Sequence, residues 1–349
     1  MSFTVWRASN STERAAWMRA WESWPDREVF GHPAYVELYR AEHDEAVCAA
    51  WIGNGTTVLY PLLIRPIHLM EDSKLVDLIT PYGYGGPFCW GEGERDKVDQ
   101  SFWKEFDQWA RDRNAVSEFI RFSLFDETLL SSYPGDRVTR LVNIVRSLDL
   151  TEEALWNDTE YKVRKNVKRA RSAGITVECD PEAQDFSEFS RIYKQTMNRR
   201  SALSSYYFPE EYFRNIHENL RGSFTYFHAL SDGKVIASEL VLLSKRNSYS
   251  FLGGTDENSF EHRPNDLLKY EIIRWSAAAG KRNFILGGGY QAGDGIFRYK
   301  QSFAPSGQRD FCVGTRVLDS TAYKSLVTHR QGQEPGWQPQ PEFFPVYRA

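Results

Sequence analysis

An α/β chain built from two similar halves, each a mixed, mostly antiparallel sheet covered by helices, is what this 349-residue sequence predicts. Three observations predict it. The length exceeds that of one ordinary domain. A tight-turn dipeptide between two apolar runs occurs twice, as Asn54-Gly55 and Asp232-Gly233, at an offset of 178 residues. After each turn come a glycine-ended strand, a helix and a further strand, and Trp275 repeats Trp109 at an offset of 166. The expected division is a first domain at 1–148, a second at 149–312, and a strand and extended tail at 313–349 that packs back on the first.

The elements follow in order. Asn10, Ser11 and Thr12 are N-cap residues for a helix bearing Trp17, Trp21 and Trp24 on one face. A short helix fits 32–42. AVCAAWIGNGTTVLYPLLIRPI gives two strands around the first turn, and LVDLITPYGYGGPF a strand running into a glycine-rich loop. A helix at 96–113 and the strand VSEFIRFSLF complete the first half. In the second, Thr151 caps a helix predicted to run from Glu152 to Gly174. FTYFHALSDGKVIASELVLLS is two strands, and SYSFLGG is a third. PNDLLKYEIIRWSAAAG is a helix with Pro264 near its start and Gly280 just past its end. The strand KRNFILGGG follows, then a short helix over 296–303. The proline-rich tail from about Gln333 is expected to run as an extended strap.

With 43 basic and 47 acidic residues, the chain is not a generally basic binder, although a local patch can still meet phosphates. The four cysteines form no CxxC and are expected as reduced core residues. No HExxH or zinc spacing occurs among the seven histidines, so no metal is expected. No apolar run approaches the ~20 residues of a membrane span, and the amino terminus lacks the layout of a signal peptide. The expectation is a soluble, cytoplasmic monomer.

Three stretches can carry chemistry. YKVRKNVKRARSAG holds six basic residues, with Val163, Val167 and Ala170 forming one apolar face. It is either a solvated helix face or a phosphate-tracking surface. Arg199-Arg200 followed by Tyr206-Tyr207-Phe208 combines guanidinium forks with flat rings, a mixture suited to phosphate clamping and stacking. FILGGGYQAGDGIFRYKQSF has GxGxxA spacing at Gly287, Gly289 and Ala292, but Gly293, Gly295 and Pro305 leave no room for a dinucleotide-binding helix. A strand that unwinds into glycines can still bring backbone amides against a ligand, with Lys300 and Arg298 projecting towards it.

These stretches, together with FLGGTDENSFEHRPNDLLKYEIIRWSAAAGKR and, more weakly, HPAYVELYR and TPYGYGGPF, resemble the FemABX group of GNAT-like acyltransferases. The resemblance implies two tandem GNAT-like domains. It implies transfer of an amino acid from aminoacyl-tRNA, as co-substrate and with no cofactor, to an amine on a peptide, a peptidoglycan-precursor-like molecule or a natural product. Tyr299-Lys300 matches the family's aromatic-lysine pair, with Tyr where Phe is usual. Thr196 to Arg199 matches a T-x-x-R stretch that contacts acceptor phosphates. The catalytic candidates are Lys300, Asp294 and Asp256. The substrate candidates are Arg199, Tyr206, Tyr207, Gly287, Gly288, Gly289, Tyr290, Arg298 and Tyr84. Lys162, Arg164, Lys165, Lys168 and Arg169 would hold tRNA.

Two features depart from that group. Glu37 stands where peptidoglycan members often have a lysine, and no heptad arm is present. Acyl-CoA is the alternative donor. EHRPNDLL supplies Arg263 where a CoA pyrophosphate loop would lie, but not its glycines.

Overall fold

A computed structural model describes residues 2–70, 73–291 and 293–349. The chain divides into two compact units. Unit 1 comprises 1–25, 30–140 and 311–349, and unit 2 comprises 26–29 and 141–310.

Unit 1 begins with β1 (Ser2–Arg7), α1 (Ser11–Ser23), α2 (Pro33–Glu37), β2 (Glu45–Gly53) and β3 (Thr56–Pro66). β4 (Val76–Ile79), β5 (Phe88–Gly91), α3 (Arg95–Asp112) and β6 (Ala115–Arg121) follow, and β7 (Asp136–Ser147) carries the chain into unit 2. There lie α4 (Glu152–Asp158), α5 (Tyr161–Ser172), β8 (Thr176–Asp180), α6 (Phe186–Arg199), α7 (Glu210–Asn219), β9 (Phe224–Ser231) and β10 (Lys234–Leu243). β11 (Asn247–Thr255), α8 (Pro264–Ala278), β12 (Asn283–Gly287) and α9 (Gly295–Gln301) complete it. β13 (Gln308–Val317) returns the chain to unit 1, which ends with α10 (Ser320–Gln333) and the tail.

The duplicated order is present in both units. In unit 1 the sheet runs β1-β2-β3-β4-β6-β13, with β5 beside β3; in unit 2 it runs β7-β12-β11-β10-β9-β8. Each unit has one antiparallel hairpin at the anticipated dipeptide. Asn54 and Gly55 have φ of 49° and 69°, and Asp232 and Gly233 have 49° and 77°. Two consecutive positive φ values are what a tight hairpin turn needs, which is why Asn, Asp and Gly occupy it. Each unit also has one parallel pair bridged by a helix: β4 and β6 around α3, and β11 and β12 around α8.

Several local expectations are corrected. The helix expected over Glu152–Gly174 is broken, because Thr159 and Glu160 are extended between α4 and α5. Asp158, the last residue of α4, pairs with the buried Arg146, and the Thr159 hydroxyl closes the turn on Trp156 O at 2.8 Å. The helix expected over 32–42 is shorter, ending at Glu37. α10 was not anticipated; Asp319 caps it by accepting from Thr321 N and Ala322 N at 2.9 Å. Cys48 and Cys89 are buried, whereas Cys179 is exposed and Cys312 half-buried.

The core of unit 2 explains the sequence of α5. Val163, Val167 and Ala170 are buried with Leu268, Ile272 and Phe284, so the apolar stripe faces inward and the cations face out.

Candidate active site

The parallel strands β11 and β12 pair only over Asn247–Tyr249 and Asn283–Ile285. Beyond that point β12 turns through Gly287, whose φ of +81° sits at a register shift against β7. A left-handed φ favours glycine there. β11 continues to Thr255, and Phe251 has no opposite residue on β10, a one-residue bulge. Strand divergence and bulge together open a cleft of about 950 Å³ within unit 2. Ser250 to Thr255 form one wall, and α6, the start of α8 and α9 form the others.

Lys300 lines this cleft from α9 and donates to Gly288 O at 2.7 Å. Burial, and then the neighbouring Lys269 ammonium, bring its pKa down to about 8, against the opposing pull of Glu239 and Asp294. Its ammonium is therefore charged at neutral pH but loses its proton within reach of it.

The cleft is also lined by a pair that sequence reasoning missed. Lys269 on α8 donates to both oxygens of Glu239 on β10 at 2.6 and 2.5 Å, and to Ser250 Oγ at 2.8 Å. The two residues are only 6% and 4% exposed. Glu239 left a signal, since SELVLL places one charge inside an otherwise apolar run, whereas Lys269 stands between Asp266 and Glu271 in DLLKYEII and does not stand out. Asp266 also lines the cleft, accepting from Asn166 Nδ2 at 3.1 Å, and burial raises its pKa. Tyr299 is held in place by Asn265 Nδ2 at 2.8 Å.

Among the expected substrate residues, Arg199, Tyr206 and Tyr290 line the cleft with Lys300. Arg199 donates to Thr255 O at 3.1 Å and lies 4.8 Å above the Phe260 ring. Tyr206 and Tyr290 meet edge-on, and Tyr290 is 67% exposed. Arg200, Arg263 and Phe260 line the same cleft and belong with this group.

Of the remaining candidates Asp294 also lines the cleft, and the other described ones do not. The glycines are needed for the turn itself. A Cβ at Gly289 would collide with the Asp294 carboxylate, and Gly287 to Gly289 are not among the cleft-lining residues. That carboxylate accepts from Phe297 N at 2.7 Å, Tyr290 N at 2.7 Å and Gln291 N at 3.1 Å. These bonds, first that from Phe297, hold its pKa below the usual carboxylate range. Asp294 is thus the cap of α9 and a poor proton donor. Asp256 caps the turn after β11, accepting from Asn258 N at 3.1 Å, and does not line the cleft. Arg298 is exposed and points elsewhere than the cleft lining. Tyr207 lines a smaller hollow of about 280 Å³ beside Phe208 and Phe213. Tyr84 belongs to unit 1, where it packs edge-on against Phe30 and Phe311. Ala292 lies outside the described residues.

On α5, Lys162, Lys165, Lys168 and Arg169 are exposed. Arg164 is turned back onto the carbonyls of Asn157 and Thr159, and Arg171 pairs with Glu271 at 2.6 Å. Asp180, Asp185 and His228 offer metal-ligand atoms within 4.8 Å of one another. The Asp180 oxygens already accept from Glu182 N at 3.2 Å and Asp185 N at 2.9 Å, so this trio is built as a turn. No helix among the described residues is long and apolar enough to cross a membrane.

Comparison with known proteins fits this geometry. Residues 157–301 match the family described as acetyltransferase (GNAT) domain. The crystal structure of FemX superposes with a TM-score of 0.69 at 13% identity, covering 93% of this chain and 99% of that one. A carboxy-terminal domain assigned to a lysylphosphatidylglycerol synthetase of Agrobacterium fabrum gives 0.53 at 13% identity, covering 93% and 98%. A Bacteroides thetaiotaomicron protein of unknown function gives 0.53 at 10% identity, covering 87% and 97%. No curated protein matches the chain in sequence.

Proposed function

We propose that this chain, whose residues 157–301 match the acetyltransferase (GNAT) family and whose fold is like that of FemX, is an acyltransferase that moves an aminoacyl group from aminoacyl-tRNA onto an amine acceptor. The observation that carries this is Lys300, a half-buried ammonium with its pKa lowered to about 8, lining the same cleft as Arg199, Arg200 and Arg263.

An aminoacyl ester is already activated, so positioning and electrostatics can supply most of the acceleration. A neutral amine attacks the ester carbonyl, the C–N bond forms, and the ribose oxygen leaves with a proton. Lys300 spends one N–H on Gly288 O, which leaves two donors for the oxyanion or a 3′-terminal phosphate. Arg199 and Arg200 hold an anionic part of a substrate. Asp266, whose pKa is raised by burial, is the cleft carboxylate suited to accept the proton lost by the amine. The exposed cations of α5 track the tRNA backbone.

The start of α8 favours tRNA over CoA as donor. A pyrophosphate bound at a helix N-terminus needs free backbone N–H groups. Here Pro264 occupies the first position, and Asp266 places a carboxyl group in the first turn. The acyl-CoA alternative is favoured by one finding, the match to a family described by acetyl transfer.

Filter binding of charged and uncharged bulk tRNA across a salt series, with CoA and acetyl-CoA as competitors, separates the two donors. If each of the four exposed α5 cations meets one phosphate, log K falls with log salt with a slope of about −3 to −4. Preference for charged tRNA and indifference to CoA are expected. Failure to bind tRNA, with displacement or stabilisation by CoA, would reverse the assignment.

A further inference from the structure

Unit 1 contains a pocket of its own, of about 760 Å³. Its occupant does not depend on the chemistry assigned to unit 2. Ile79, Phe119, Phe311 and Val313 supply its sheet side, and Phe344 and Tyr347 of the tail close over them. Such a lining, apolar with a few convergent polar groups, is the usual make-up of a small-molecule site.

Its charge is unusual. Five arginines line it: Arg65, Arg121, Arg140, Arg330 and Arg348. Arg65 and Arg348 share one carboxylate, Asp77, while Arg140 pairs with Glu342 at 3.5 Å and Arg330 with Glu334 at 3.3 Å. Among the described residues Arg121 has no carboxylate within 4.0 Å. It donates to Thr80 O at 3.0 Å and stacks 5.0 Å from the Phe119 ring. Arg65 Nε is buried with no hydrogen-bond partner. Burial first, and then the neighbouring guanidiniums, lower the pKa of both Arg65 and Arg121. Three carboxylates pair with these guanidiniums within 4.0 Å and Asp44 acts on Arg65 from farther off, so five guanidiniums still carry a local surplus of positive charge. Burying it costs stability unless an anion compensates it.

We propose that this pocket binds a small organic anion, a phosphate or carboxylate head held by Arg65 and Arg121 and a flat apolar body lying against Phe119, Phe311 and Phe344. Guanidinium forks match either head bidentately, and the rings supply the stacking surface.

Calorimetry on the full chain with phenyl phosphate, benzoate and inorganic phosphate tests this. At least one aromatic anion should bind with a Kd below about 1 mM. The aromatic pair shows which head is preferred. Phe119→Ala should weaken the aromatic anion more than inorganic phosphate. Arg121→Met should weaken the bound anion at least tenfold while leaving Tm unchanged or higher without ligand, because it removes an uncompensated cation. Absence of binding for both aromatic probes at millimolar concentration would overturn the proposal. So would an Arg121→Met protein that binds normally, or one whose ligand-free Tm falls, which would mark Arg121 as structural.

Discussion

Positive charge is gathered twice in unit 2, and the two gatherings obey different physics. In the cleft, Lys269 is buried and Lys300 half-buried. One is neutralised directly by Glu239, and the other has its pKa brought down to about 8. On α5, four cations stand in solvent along the outer face of a helix whose inner face is Val163, Val167 and Ala170. The two cleft lysines are energetically expensive, since desolvation and like-charge repulsion act at low effective dielectric. The helix has many charges, each screened within about 10 Å at ordinary salt. Burial, rather than the number of cations, decides which of them a reaction can exploit. Substitutions in the two regions should therefore differ in kind.

The largest effect is expected at Lys300. Lys300→Met keeps the unbranched apolar stem of the side chain and removes its donors, and kcat should fall by about 10²–10³, the typical loss of one oxyanion donor. Tm should hold or rise, since a desolvated ammonium is removed. The wild-type rate should also carry a pH limb set by this group. Its folded pKa is lowered, so the cation is present below about 8 and lost above it. A rate that depends on the cation declines as pH rises through that value. A profile flat from pH 7 to 9.5, or a Lys300→Met enzyme with normal kcat, would remove Lys300 from the chemistry.

Next comes the Glu239–Lys269 pair. Glu239→Gln leaves Lys269 buried without its counter-charge, and breaking a buried ion pair from one side costs about 3–5 kcal/mol. Replacing both, as Glu239→Gln with Lys269→Met, should recover most of that loss. A denaturant-unfolding double-mutant cycle measures the coupling. The carboxylate of Glu239 also supports the charge on Lys300, so in Glu239→Gln the alkaline limb of the rate should move to lower pH. If the limb stays in place while stability falls, Glu239 serves the fold alone.

How much of this was legible in the sequence depends on how local each signal is. The hairpins were legible because two positive φ angles in a row restrict the residues to types such as Asn-Gly and Asp-Gly. The inward face of α5 was legible from its spacing. The break at Thr159 and Glu160 was not, because a single long helix satisfies the same propensities, and what interrupts it is the ion pair from Asp158 to Arg146 on β7. The glycines of FILGGGYQAGDG signalled a close approach, and there is one. The partner is the Asp294 side chain, four residues on from Tyr290, rather than a ligand. Glycine spacing reports that room is needed and is silent about what fills it. The Glu239–Lys269 pair spans 30 positions, so the lone charge of SELVLL could be seen but its partner could not.

The smallest effect on the fold, and the sharpest test of the contrast, belongs to α5. Lys165 and Arg169 are exposed and stand one helical turn apart. Neither has the turn-closing role of Arg164 nor the Glu271 partner of Arg171. Replacing both by Gln should change stability by no more than about 0.5 kcal/mol. If each meets a phosphate, tRNA affinity should weaken and the salt slope should become less steep by about 2. The same double variant should leave the alkaline limb of the rate untouched, because exposed, screened charges on α5 are not among the groups that set the pKa of Lys300. An unchanged salt slope would return α5 to the role of a solvated face, and the phosphate-facing charge would then have to come from the arginines of the cleft.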